Sequence, residues 1–267
     1  MTAAVIDVAH LTKKYGRTTV LELGAWRVEA GSNAVLRGEN GAGKSTLLLL
    51  LAGLVRATSG QATVGGHTVG SRGARRVLSF VPDQPALFDD LTLGEQMTYV
   101  ARLNGLDDAP GITEDLFERF DAQPLRDRFP RSMSKGQRQK AGLLVAFSRP
   151  FEVLLLDEPT TGLDASSCDA LIEVLDRLAE EGRAVVSSTH DPALIASANA
   201  VTVISKGRQV ERWTEAEVAG MEASDRSFDP EPTNPTGHDD VTVDDAPEPV
   251  DPATLKPGFR PDRWKRR

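Results

Sequence analysis

At 267 residues, 40% hydrophobic and 26% charged, the chain has globular composition and length enough for a sizeable core, which excludes a fibrous or wholly disordered protein. Its formal charge of −8, from 31 Lys+Arg against 39 Asp+Glu, gives no general attraction to nucleic acid or anionic lipid, so no nucleic-acid partner is expected. One cysteine (Cys168), no apolar run longer than residues 47–55 and no basic-then-apolar leader together predict a soluble, cytoplasmic chain.

In chain order, residues 5–8, 25–28 and 62–64 read as short strands, with Gly65-Gly66 as a hairpin turn. Residues 33–37 read as a strand that runs into a glycine-rich loop and then an apolar helix from about Lys44. Residues 77–81 form another strand. From 91 to 148 the pattern is helical, with breaks at Pro110, Pro124 and Pro130. Strands at 153–156, 184–188 and 201–205 follow, with a helix at 165–181 that puts Leu171, Val174, Leu175 and Leu178 on one face. Continuous apolar strands alternating with helices predict an α/β fold whose parallel sheet is covered on both faces and interrupted by a helical insertion. Residues 222–267 hold 8 of the 16 prolines, 11 acidic and 7 basic residues, without periodicity, and read as a disordered tail. Its end, 260–267, is basic with one tryptophan, too few charges for a membrane anchor.

Two stretches carry chemistry. Gly38-Glu39-Asn40-Gly41-Ala42-Gly43-Lys44-Ser45-Thr46 sits between a predicted strand and a predicted helix, the context a P-loop requires. Its glycines let successive N–H groups face a phosphate at a helix N-terminus. Lys44 would neutralise the β- and γ-phosphates and the Ser45 hydroxyl would ligate Mg²⁺. The second stretch ends the strand at 153–156 in Asp157-Glu158. A carboxylate at the carboxyl end of a buried parallel strand lies where open α/β sheets bind ligands. There Asp157 can hold Mg²⁺ and Glu158 can orient or deprotonate a water attacking the γ-phosphate. Nucleoside triphosphate hydrolysis follows, although a P-loop kinase satisfies the same two motifs.

A third cluster, Ser132-Met133-Ser134-Lys135-Gly136-Gln137-Arg138-Gln139, narrows the choice; its Gln137 stands 20 residues before Asp157. It resembles the signature motif of ATP-binding cassette (ABC) ATPases, usually written LSGGQ. The family's other marks appear in order: Tyr15, similar to the aromatic that stacks on adenine; Gln84, similar to the Q-loop glutamine; Thr161-Gly162-Leu163-Asp164, similar to the D-loop; and His190, similar to the switch histidine. The resemblance covers about residues 3–213. It implies a P-loop NTPase domain over 1–221, with a parallel-sheet core, an N-terminal antiparallel β subdomain and an α-helical subdomain inserted at about 86–150. It implies ATP held by Tyr15, Gly38, Asn40, Gly41, Ala42, Gly43, Lys44, Ser45 and Thr46, and Mg²⁺ held by Ser45, Gln84 and Asp157. Catalysis falls to Glu158, His190, Gln84 and Lys44. Ser134, Gly136, Gln137 and Asp164 would reach ATP across a dimer with a second cassette, either a copy of this chain or a close paralogue.

Two positions depart from the family pattern: Lys135 replaces the first signature glycine, and Asn199 stands where relatives often carry an acid. His10, His67 and His238 share no metal-ligand spacing. A cassette of this kind most often powers a separate integral membrane permease and sits on the cytoplasmic face of the membrane through it. Residues 85–92 and 99–106 resemble the bacterial exporter-type (ABC-2) branch, which implies export. An ABC ATPase acting on a non-transporting membrane or soluble partner is the alternative that this resemblance leaves open.

Overall fold

The computed structural model describes residues 4–106 and 109–213. It opens with two twelve-residue antiparallel strands, β1 (Ala4–Tyr15) and β2 (Thr18–Glu29), three times the length expected. The shortfall has a physical cause. Burial in β1 runs Ile6, Val8, then Leu11, changing face at His10, whose φ is 51°; in β2 it runs Leu21, Leu23, then Trp26 and Val28. A strict period of two therefore fails midway along both strands. With β4 (Ser59–Val64) and β5 (His67–Thr68) they form an antiparallel sheet in the order β2-β1-β4-β5.

The second sheet has the order β10-β9-β3-β8-β7-β6, built from β3 (Asn33–Arg37), β6 (Leu78–Val81), β7 (Val153–Asp157), β8 (Ala184–Ser188), β9 (Ala200–Ser205) and β10 (Arg208–Trp213). All neighbours are parallel except the edge strand β10. Every residue of β7 and β8 is buried, as expected for central strands covered on both faces. Alternation sorts them. Val153 and Leu155 of β7 and Ala184 and Val186 of β8 share a core with Leu47, Leu48 and Leu51 of α1 (Lys44–Leu51). Leu154, Leu156 and Val185 turn to the other face, where Leu171 and Leu175 of α6 (Ala165–Glu180) cover them. Each such leucine contributes about 1.5–3 kcal/mol by burial.

Two six-residue helices, α2 (Arg72–Val77) and α7 (Pro192–Ser197), and the strand β10 have no counterpart among the predicted elements. Six residues are under two helical turns, too short for periodicity to show; local caps make them instead, with Ser71 accepting from Ala74 N and Asp191 from Ala193 N and Leu194 N. α2 claims Val77, so β6 begins at Leu78. Between β6 and β7 lie α3 (Leu93–Leu103), α4 (Ala109–Arg119), two 3₁₀ turns (Gln123–Leu125 and Pro130–Ser132) and α5 (Lys135–Phe147). The three prolines expected to break helices start elements here: Pro110 lies in the first turn of α4, and Pro124 and Pro130 each open a 3₁₀ turn. The breaks fall at Gly105 and Asp121, with φ of 78° and 44°. The tail expected over 222–267 lies outside the described residues.

Two polar links join the layers. Trp26 Nε1 donates to Thr202 Oγ1 at 3.1 Å, tying β2 to β9. Asn199 accepts from Asn33 N at 2.8 Å through Oδ1 and donates to Gly31 O at 3.1 Å through Nδ2. A carboxylate could make the first bond but not the second, so the amide at this position has a structural reason.

Candidate nucleotide site

β3 delivers the chain to a loop that only glycine can start. Gly38 has φ 147°, and a Cβ there would lie 2.0 Å from the Ile204 carbonyl oxygen on β9. Asn40 and Gly41 form the exposed tip, Ala42 is buried, and Thr46 is half-buried in the first turn of α1. The turn between β9 and β10 holds the loop in place: Gly207 N donates to Ala42 O at 3.0 Å, and Gly207 O accepts from Glu22 N of β2 at 2.7 Å. The Lys44 side chain folds onto its own loop, donating from Nζ to Gly38 O at 2.6 Å and Glu39 O at 3.1 Å. Burial lowers the Lys44 pKa, while Glu158 and Asp157 act in the opposite direction. A cation among backbone carbonyls and N–H groups suits a phosphate.

Opposite Ser45 stands the end of β7. Ser45 Oγ donates to Asp157 Oδ1 at 3.1 Å, and Ser188 Oγ of β8 donates to the same oxygen. Glu158 then leaves the strand with φ 47°, an uncommon conformation for a non-glycine residue. Its N–H donates to Ser188 O at 3.0 Å, and its carboxylate Oε1 comes within 3.7 Å of His190 Nε2. Burial raises the Glu158 pKa; Lys44 opposes this, and Asp157 adds to it. Burial lowers the His190 pKa, helped by Lys44 and Arg37. His190 Nε2 also lies 3.2 Å from Lys44 Nζ, within hydrogen-bond distance. Lys44, Ser45, Asp157, Glu158 and His190 thus converge as the sequence predicts.

Tyr15 and Gln84 are placed less directly. Tyr15 ends β1 half exposed, with Lys13 Nζ 4.5 Å from its ring centroid, on the hairpin whose second strand bonds the loop-holding Gly207. Gln84 follows β6. The strand stops at Val81, because Pro82 has no N–H to continue the ladder, and Gln84 is exposed beyond it. Asp157 accepts from Ser45 and Ser188, and not from Gln84.

The signature and the D-loop form a second surface. Ser134 caps α5 by accepting from Gln137 N, while Gln137 Oε1 accepts from Ser134 N at 3.0 Å, a reciprocal capping box. Gly136 is obligatory: a Cβ would lie 1.8 Å from Gly162 O of the D-loop. Asp164 caps α6, accepting from Ser167 N, Ser167 Oγ and Ser166 Oγ at 2.8, 2.6 and 2.9 Å, and these bonds hold its pKa well below the ordinary carboxylate value. Lys140 Nζ lies 3.5 Å from its other oxygen. A cavity of about 450 Å³ opens beside these residues, bounded by Asp121, Leu125, Ser134, Gln137, Lys140 and Asp164. Sequence reasoning missed Ser188, whose only signal was a polar residue closing an apolar strand. Among the described residues there is no group of three His, Cys, Asp or Glu side chains able to hold a metal ion, and no helix long and apolar enough to cross a membrane.

Comparison with known proteins agrees with this geometry. A putative ABC transporter ATP-binding protein of Streptomyces coelicolor is 34% identical over 218 residues, covering 79% of this chain and 38% of that protein. A lantibiotic transport ATP-binding protein of Streptococcus pyogenes is 29% identical, covering 70% of this chain and 80% of its own length. A linearmycin resistance ATP-binding protein of Bacillus subtilis is 29% identical over 70% of this chain and 61% of that protein. The chain spans only 38%, 59% and 41% of the length of three curated relatives that align over most of it. Among solved structures, the ATP-binding subunit of an ABC transporter superposes with a TM-score of 0.75 at 27% identity, covering 83% of this chain and 97% of that one. An ATP-binding cassette solved as a dimer with ADP and Pi has a TM-score of 0.72 at 21% identity, covering 79% of this chain and 98% of that one, and shares the fold. The sequence profile of the ABC transporter family matches residues 23–161, slightly more than half of the chain, and the chain belongs to that family.

Proposed function

We propose that this chain is the ATP-binding and ATP-hydrolysing subunit of an ABC exporter. Two cassettes, copies of this chain or close paralogues, close on ATP and reopen on hydrolysis, and a separate membrane permease on whose cytoplasmic face they sit converts that motion into transport. The observation that carries the reading is the meeting of Lys44, Ser45, Asp157, Glu158 and His190 at the carboxyl ends of β3, β7 and β8.

The chemistry follows from those groups. Lys44 exchanges the carbonyls of Gly38 and Glu39 for phosphate oxygens, and the loop N–H groups and the amino end of α1 bind the rest. Tyr15 offers an exposed ring to the adenine. Glu158, more basic than an ordinary carboxylate, takes a proton from water as its oxygen attacks the γ-phosphorus. The bond from that phosphorus to the β–γ bridging oxygen breaks, and ADP leaves with its new charge beside Lys44. His190, 3.7 Å from Glu158, helps to orient the water. Ser45 and Asp157 present the hard oxygens that Mg²⁺ prefers and would hold it, with Gln84 as a further ligand; bound there, it would neutralise charge on the phosphates. Ser134, Gly136, Gln137 and Asp164 would complete the site of the second cassette.

Support for a permease comes from the loop after β6. Phe88 is 53% exposed and Leu103 69%, and Phe88 meets Tyr99 edge-on with centroids 6.0 Å apart. The buried Gln96 staples this loop to α3, accepting from Phe88 N at 2.9 Å and donating to Phe88 O at 3.1 Å and Leu91 O at 3.0 Å. Exposed apolar side chains on a fixed loop and on the helix that follows it suit a helix presented by a membrane protein. The likeness to lantibiotic transport and linearmycin resistance proteins supports export.

The test uses tagged Glu158→Gln protein, which we expect to turn over ATP roughly a hundredfold or more slowly and to stay closed on it. Membranes of the native host are solubilised in mild detergent with ATP, and bound proteins are identified. A stoichiometric multi-pass protein is the expected result. Capture of soluble proteins or a non-transporting membrane component alone would remove the transport reading, and near-normal turnover of the variant would remove the assignment of Glu158.

A further inference from the structure

Ser188 closes β8 directly opposite Asp157, its register partner on β7. Alternation puts both on the face that carries Ala184, Val186, Val153 and Leu155, so the hydrocarbon surface under α1 ends in two oxygen-bearing side chains beside Ser45. Ser188 is fully buried and Asp157 is 6% exposed. The Ser188 hydroxyl has one proton, which goes to Asp157 Oδ1, and its lone pair accepts from Glu158 N at 3.3 Å. The neighbouring Ser188 carbonyl accepts from the same N–H at 3.0 Å. One residue therefore fixes the orientation of the Asp157 carboxylate and anchors the left-handed step that aims Glu158.

We propose that Ser188 is a positioning residue for nucleotide hydrolysis, holding Asp157 in the orientation that receives the cation of the bound nucleotide. The inference rests on the ATPase reading above. Its logic lies in what happens to Ser45. Among the described residues, the side-chain hydroxyls donating to Asp157 are those of Ser45 and Ser188. A Ser45 oxygen that binds a cation through a lone pair can keep its proton on Asp157 but joins the cation's ligand set, whereas Ser188 stays outside that set as the second donor holding the carboxylate. A buried carboxylate deprived of a donor loses orientation and stabilisation together, and partners that orient metal-ligating carboxylates are typically worth 10–100-fold in affinity or activity.

The experiment compares wild type with Ser188→Ala, and with Ser188→Thr, which keeps the hydroxyl. Calorimetry measures binding of a non-hydrolysable ATP analogue with Mg²⁺ and again with EDTA; kcat and melting temperature are measured on the same samples. For Ser188→Ala we expect roughly 10–100-fold weaker binding in Mg²⁺, a similar fall in kcat, and binding in EDTA within about twofold of wild type. Ser188→Thr should recover most of the loss; if it fails to fold, the alanine variant decides alone. Alanine values within about twofold of wild type in Mg²⁺ overturn the proposal, and so does an equal loss with and without Mg²⁺, which marks a merely structural role. Ser45→Ala, run beside them, separates the two readings. If it too keeps its Mg²⁺-dependent binding, the magnesium site itself was misassigned; if it loses that binding while Ser188→Ala does not, only the role of Ser188 falls.

Discussion

Lys135 occupies the first helical position of α5, exposed, beside the Ser134 cap and with no acidic residue in that turn. In the head-to-tail pair proposed above this position would face the γ-phosphate held by the partner, where salt screens charge over a Debye length of about 8 Å at physiological ionic strength. A lysine there adds an attraction between the two halves that salt screens. Closure on ATP should accordingly weaken with added salt more steeply in wild type than in Lys135→Ala, which removes the charge but keeps a good helix former. The check is the salt dependence of ATP-driven association of the Glu158→Gln protein, with and without the Lys135 change. Parallel salt slopes would show that the lysine stays out of the interface.

At the scale of elements, Asp164 shows one side chain serving two purposes. It was expected to reach across a dimer, yet one of its oxygens accepts three bonds from Ser166 and Ser167 and starts α6. Asp164→Ala should cost about 1 kcal/mol, as for other helix N-caps, or about 2–4 °C in melting temperature for a domain of this size. Because folding holds the carboxyl below its ordinary pKa, the charged cap stabilises fully above that value, near 3.9, and the contribution fades as pH falls below it. The gap between wild type and variant in urea should be constant near neutral pH and close on acidification; a gap independent of pH would assign the effect to something other than the carboxylate. α6 also shows what the sequence makes legible. Its span and its buried Leu171, Leu175 and Leu178 follow from local pattern, as do β3, β7 and β8, whose short apolar runs alternate with helices. The long hairpin does not, because both strands change face near His10 and defeat a period of two. The loop lysine and the paired carboxylates are legible for the same local reason. Ser188 is not, because its meaning comes from a cross-strand register with Asp157 across a gap of 31 residues.

At the scale of the whole molecule, the chain carries its phosphate loop and its signature on separate surfaces. The loop lies at the amino end of α1, while Ser134 and Gly136 open α5, packed on the D-loop at Gly162. In the function proposed above each nucleotide lies between a loop and a signature, and a head-to-tail pair with two-fold symmetry would complete two sites at once. Complementation between variants tests this directly. Lys44→Ala removes the phosphate cation and Ser134→Arg obstructs the signature, and each alone should be nearly inactive. Mixed in equal amounts, half of the pairs are hybrids. Each hybrid holds one intact site, made from the loop of the Ser134→Arg chain and the signature of the Lys44→Ala chain. Activity should then return to roughly a quarter of wild type. A mixture as inactive as its components would exclude a homodimer and direct the search to a paralogous partner. Recovery near the predicted fraction would place the two half-sites in trans.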